Sequence, residues 1–450
     1  MGRKFASAAA ITLLVGASGV ARAEDDSATV NGLTFYGAID VGVTYDTHGA
    51  QSSNVGNTGS YYLVQKASNR STFNFAQSGM GQSNIGLKGA NDLGDGWTGL
   101  FKLETAINPA GGNITDGSKA LVSNNGRPMQ SWTAAGDTSA SGQAFARAAY
   151  VGVSNQTYGT LTAGLQTNLN ADAISTYDPG YGSYAFSLIG YSGFAAGSSD
   201  TDNTRWDNSV KYLYAYGPAR LGVQYAFGGT SGRNDTGYAA DLGFDYDGLS
   251  VDAVYVNKKD GVSVSSLSAP QVAGLAALGY SPSNSLSATV SDNDSYTIAA
   301  LYKLNNLKLF AGFEYVQSKN PSSPLPVGFT NIGGYTAAYV NNTAFPNTRD
   351  VDIAWTGARY AFTPKLELAG AYYYYHQNAY GSGANAGCND TRSGTCSGDE
   401  HVFSLVANYH FTKRFDTYAG AMYSQLLNGM ASGALKNNNL SPTVGIRYTF

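Results

Sequence analysis

The closing residues constrain the fold more than any other segment: Val444, Ile446, Tyr448 and Phe450 are apolar or aromatic, while small or polar side chains fall between them. That period of two is a strand with one oily face. A strand that shows apolar residues to lipid and polar ones to a watery interior, and ends on an aromatic, suits the closing edge of a transmembrane barrel, with Tyr448 and Phe450 as its barrel-closing signal. The same rhythm recurs along the whole chain.

Sixteen segments carry it: 33–45, 83–89, 97–107, 145–154, 159–166, 205–216, 220–228, 238–246, 249–258, 295–304, 307–318, 351–363, 366–377, 401–412, 415–427 and 440–450. Short turns such as Asp247-Gly248 and Asn305-Asn306 join them on one side, as tight hairpins require. Long polar connections near 46–81, 108–144, 167–204, 229–237, 259–294, 319–350, 378–400 and 428–439 join them on the other, and Gln271 to Gly279 suits a short helix in one of these. The reading is all-β: an antiparallel barrel of about sixteen strands, with hydrocarbon against every second side chain and water filling the tube. Both termini lie on the short-turn, periplasmic side.

Composition agrees. Only 13% of residues are charged and 12% are aromatic, with 33 Tyr and 56 Gly, whereas an ordinary soluble domain carries about 25% charged residues. No run of 18 apolar residues follows the N-terminus, so strands must do any spanning, and tyrosine is what interfacial belts need.

Arg3-Lys4, the apolar stretch Phe5 to Val20 and Ala21-Arg22-Ala23 have the order of a cleaved export signal, giving a signal peptide over 1–23 and a single barrel domain over 24–450. Losing Arg3, Lys4 and Arg22 leaves 24 basic residues against 31 acidic ones, a formal charge of about −7 that disfavours nucleic acid as a partner. The only cysteines, Cys388 and Cys396, share one outer connection of an exported chain. A disulfide is the expected state there, and two Cys with no His inside the loop cannot complete a tetrahedral metal site.

Written out, these segments resemble the Gram-negative general porins, the trimeric sixteen-stranded channel formers, and especially their proteobacterial branch. The resemblance rests on Phe35 to Gly42, Gly86 to Gly96, Phe101 to Glu104, Arg147 to Val153, Asn208 to Tyr212, Gly357 to Tyr360 and Val444 to Phe450, in family order. It implies a homotrimer in the outer-membrane lipid of a Gram-negative bacterium, passing small hydrophilic solutes and ions passively and needing no cofactor. It also implies that the third outer connection folds inward to narrow the channel. Two departures touch the basic wall of the family's constriction: Ser83-Asn84 and Gly164-Leu165-Gln166 stand where the family often has arginine.

Strand parity turns Lys88, Lys102 and Arg147 inward as a basic wall, with Glu104 beside them. The third connection, Thr167 to Thr204, offers Asp172 and Asp178, and these three carboxylates are the acidic side of the expected constriction. Lys211, Arg220, Arg359 and Arg447 are further lumen-facing cations, although any lumenal cation can simply be solvated or paired across strands.

Competing functions are weaker. The histidines are His48, His376, His401 and His410, with no nucleophile elbow or zinc-protease helix, so an enzyme is not expected. Asp200-Thr201-Asp202-Asn203 and Asp292-Asn293-Asp294 lack the ligand spacing of a calcium loop. Alternatives that stay open are a channel dedicated to one solute and a barrel serving mainly as a surface receptor or adhesin.

Overall fold

The computed structural model describes residues 29–48, 71–114, 121–127, 143–191, 204–229, 234–332, 335–383, 394–432 and 436–450. The export signal and Cys388 fall outside them. Sixteen antiparallel strands close into one barrel. They are β1 Leu33–Asp46, β2 Asn84–Gly94, β3 Trp97–Asn108, β4 Ala148–Asn155, β5 Gly159–Thr167, β6 Arg205–Tyr216, β7 Ala219–Ala226 and β8 Gly237–Tyr246. Then follow β9 Leu249–Ser265, β10 Ser285–Leu304, β11 Leu307–Lys319, β12 Arg349–Ala361, β13 Leu366–Gln377, β14 Gly398–His410, β15 Phe415–Asn428 and β16 Asn438–Thr449.

Closure uses the terminal signal. β16 pairs with β1 from Ala38↔Thr449 to Thr44↔Thr443, and Gly37 and Phe450 exchange both backbone hydrogen bonds at 3.0 Å. The Phe450 ring lies 5.5 Å from that of Phe35. Outward alternation holds as the sequence implies: Leu221, Val223, Tyr225 and Phe227 are exposed, while Asp40, Thr44, Lys211 and Gln224 turn inward and are buried. Asp247-Gly248 adopts positive φ at both positions, as a primed two-residue hairpin needs.

Three boundaries differ from the sequence reading. The second strand is split: Thr72–Gln77 covers the outer half of β1, Asn84–Gly94 covers the inner half, and residues 78–83 bulge into the barrel between them. Asp40 fixes that bulge, accepting from Met80 N at 2.8 Å, Gly81 N at 2.9 Å and Tyr418 Oη at 2.6 Å. β9 and β10 run seven and ten residues beyond the expected 249–258 and 295–304, because a bulge after Lys258 lets the hairpin continue past its neighbours. The helix expected at 271–279 forms over Ala269–Ala277, started by a Ser268/Gln271 capping box.

The interior also departs from a simple water-filled tube. Val254, Val256, Ile353, Trp355, Tyr373, Tyr375, Val402 and Leu426 point inward yet are buried, in one apolar cluster with Leu169, Ile174, Tyr177, Leu188 and Ile189 of the third connection. Part of the inner wall is therefore dry, because chain rather than water covers it.

Candidate functional site: the inward loop and the basic wall

Leu169–Tyr177, here α1, begins where the Asn168 side chain accepts from Ala171 N, and Asp172 sits favourably in its first turn. Leu169, Ala173, Ile174 and Tyr177 form its buried stripe. Asn170 donates to Glu314 Oε1 at 2.8 Å, and Tyr177 shares a 2.9 Å hydroxyl contact with Ser250, which fixes the helix against β9 and β11. The chain then follows the inner wall past β12, β13 and β15, ending where Ala185 N donates to Gly79 O at 3.0 Å. Two wall glycines admit it. A Cβ on Gly357 would lie 2.6 Å from Pro179 Cβ, and one on Gly420 would lie 2.7 Å from Phe186 Cε1.

Asp178 is the clasp of this path rather than a pore charge. Its carboxylate has no exposed surface and accepts from Gly180 N at 2.8 Å, Gly182 N at 2.5 Å and Tyr373 Oη at 2.6 Å. That corrects its expected place on the acidic side of the constriction. Arg359 is likewise no free lumenal cation: it lies 3.8 Å from the Tyr181 ring and 4.8 Å from that of Phe310, and donates to Pro179 O at 2.9 Å. Trp355 Nε1 donates to Tyr177 O at 3.0 Å. Burial, then the Glu367 carboxylate, push the Tyr181 phenol above its usual range, so it remains the donor of its 2.6 Å bond to Glu367.

The basic residues gather on the other wall, β1 to β6. Lys88 and Lys102 are cross-strand partners, 5.6 and 5.7 Å from the Tyr36 ring. Glu104 sits among the cations rather than opposite them. It pairs with Lys102 at 3.0 Å, makes a short ion pair with Arg147, and accepts from Tyr36 Oη at 2.7 Å. Asp172 is bound by Lys211 at 2.8 Å. Lys102, Glu104, Arg147, Arg205, Lys211, Tyr150, Thr162 and Gln166 line one recess of this wall.

Arg205, Tyr36 and Tyr150 are residues that the sequence reading did not single out. Alternation could have turned the two tyrosines inward, but Arg205 sits beyond a backbone irregularity at Asn208, where φ is +47° and simple parity stops applying. Two further expected lumenal cations face inward away from this recess. Arg220 pairs with Asp252 at 2.7 Å and Asp245 at 3.2 Å, and buried Arg447 pairs with Asp416 at 2.6 Å. Cys396 is buried, and its carbonyl accepts from Gln377 Nε2 at 2.7 Å. Among the described residues no metal-binding cluster is found.

Known proteins share this architecture. An anion-selective porin from Comamonas acidovorans superposes with a TM-score of 0.59 at 19% identity, over 93% of this chain and 99% of that one. OmpT of Vibrio cholerae does so at 0.56 and 15%, over 94% and 100%. An outer membrane porin protein of Bordetella pertussis is 28% identical over 221 residues, 48% of this chain, and the match spans about half of that relative, 47%. The Gram-negative porin family model matches residues 7–428, and the chain belongs to that family.

Proposed function

We propose that this chain forms a passive outer-membrane pore for small hydrophilic solutes, with a preference for anions and no catalytic role. The charge balance beside the loop carries that preference. Five cations, Lys88, Lys102, Arg147, Arg205 and Lys211, face two carboxylates, Glu104 and Asp172, an excess of three positive charges in a chain that is acidic overall. Among its described residues, 167–191, the loop adds Ser175, Thr176, Tyr181 and Tyr184 as partly or fully exposed side chains, hydroxyls rather than a row of acids. An entering anion meets cationic partners on one wall and hydroxyls on the described part of the loop. The name of the Comamonas relative agrees with this reading. Liposome swelling tests it: an organic anion should enter faster than a neutral solute of the same size, and faster entry of an equally sized cation would refute the preference.

A homotrimer belongs to the same proposal. Tyrosines such as Tyr216, Tyr225, Tyr238, Tyr246 and Tyr296 are exposed on the outward faces of β6 to β10, whereas β2 to β5 carry no outward tyrosine and show Leu87, Leu103, Val151 and Leu161 instead. A face whose strands show no outward tyrosine, and whose aromatics are Trp97 and Phe101 of β3, suits packing against another subunit more than the tyrosine-rich face of β6 to β10 does. One Vibrio cholerae OmpT structure is described as a trimer form. Cleavage after Ala23 and a Cys388–Cys396 bridge complete the reading, testable by the N-terminal sequence of purified protein and by its thiol content.

A further inference from the structure

The third connection is not the only chain inside the barrel. Residues 78–83 leave the sheet between Thr72–Gln77 and β2, and the side chains that receive them point inward: Asp40 on β1, Tyr418 on β15 and Arg447 on β16. The bulge therefore lies on the lumenal side of the seam that closes the ring. Besides the bonds to the Asp40 carboxylate, Ser83 Oγ accepts from Asp40 N at 2.9 Å and Ser78 Oγ accepts from Ser83 N at 3.0 Å, so both ends of the bulge are tied down.

Met80 packs with Ala185, Phe186, Val406 and Tyr418 in an apolar cluster separate from the one around α1. The loop and the bulge thus meet, at Ala185 N and Gly79 O. The loop lies along β9 to β15, the bulge continues over β16 and β1, and β2 to β6 carry the basic residues.

Two glycines of the bulge differ in what a side chain would meet. A Cβ on Gly79 would lie 2.4 Å from Tyr418 Oη, so packing against β15 leaves no room for one. A Cβ on Gly81 would have Arg447 Nη1 at 3.8 Å, an ordinary contact, and no other atom of the described residues within 4 Å. Gly81 keeps part of its surface open while Ser78, Gly79, Met80, Gln82 and Ser83 are buried, and its φ is not positive. Neither packing nor backbone strain asks for glycine at 81. A side chain there would fill the space in front of Arg447, inside the barrel.

We propose that the bulge is a second jaw of the narrowing and that Gly81, at its crest, is a size-determining residue of the pore, kept bare so that the passage stays wide. The inference rests on the pore reading, because only a conducting barrel has a width to set.

Gly81→Cys, reacted with N-benzylmaleimide, adds neutral bulk at the crest. Single-channel conductance and liposome swelling with a pentose and an uncharged trisaccharide are read before and after the reaction. Before it, both should match the unsubstituted protein. After it, conductance should drop and the trisaccharide rate relative to the pentose should fall by about threefold or more, because a pore excludes solutes by its diameter. Gly81→Trp should show the same losses without reagent, and the unsubstituted protein exposed to the maleimide should show neither. Complete labelling that leaves conductance and solute ratio unchanged, with Gly81→Trp equally silent, overturns the jaw and leaves the pore standing. A thiol at 81 that the reagent cannot reach in the folded protein overturns it as well. No conductance in the unsubstituted protein removes both readings together.

Discussion

Replacing Asp178 with alanine should unfasten the inward loop without moving ion preference. Three donors converge on its fully buried carboxylate, Gly180 N, Gly182 N and Tyr373 Oη, at 2.5 to 2.8 Å. A hydrogen bond to an ionised acceptor is worth roughly 1.5–3 kcal/mol, so an additive sum would be about 5–9 kcal/mol. The three share one acceptor and relax together, which brings the net loss nearer 3–4 kcal/mol. That bias raises the undocked fraction of the loop by roughly two to three orders of magnitude. Arg359, Trp355 and the Tyr181–Glu367 bond still hold the neighbouring chain, so the loop should flicker rather than leave. Single-channel recordings of Asp178→Ala should show frequent brief conductance steps, with Asp178→Asn intermediate because its shape is kept. A quiet channel whose reversal potential moves toward anions would refute this, since that is how a charge lining the passage behaves.

Other substitutions test the remaining wall. Lys102→Gln combined with Arg205→Gln should shift the reversal potential toward cations, and no shift would place the selectivity elsewhere. Arg147→Met should lower thermal stability in detergent by about 3–5 kcal/mol, because it strips a buried partner from Glu104, whereas Lys102→Gln, whose pair is partly exposed, should cost no more than about 1 kcal/mol. Equal losses would mean that burial does not separate the two pairs. Glu400 has no exposed surface and neither carboxylate oxygen has a hydrogen-bond partner among the described residues, so Glu400→Leu should raise the unfolding temperature, by a gain of roughly 1–3 kcal/mol. A fall would reveal a stabilising role for the carboxyl group.

The barrel was legible because its signal is local and repeated. Each strand needs only period-two alternation and a turn, and Asp247-Gly248 or Val444 to Phe450 show both within a dozen residues. What alternation could not show is what covers the inward face. Alternation along β13 turns Tyr373 and Tyr375 inward, but only the path of the third connection makes them a dry support for Asp178 rather than a wet lining. Parity placed Lys88, Lys102 and Glu104 together on one wall, since adjacent strands keep their register, whereas Arg147 lies in the bend before β4, whose inward side chains are those of Ala148 and Tyr150, and reaches Glu104 from outside the alternation. It gave no information on Asp172 and Asp178, whose positions depend on contacts with strands more than a hundred residues away. The extensions of β9 and β10 were hidden for a related reason: the bulge at Lys258 breaks the alternation that defines a strand.

The most direct measurement is the reversal potential of single purified channels in a planar bilayer under a tenfold salt gradient. Conducting steps with the sign of anion preference are the predicted result. Steps with the opposite sign would contradict the basic passage between the loop and β1 to β6, and an absence of conductance would contradict a continuous aqueous passage altogether.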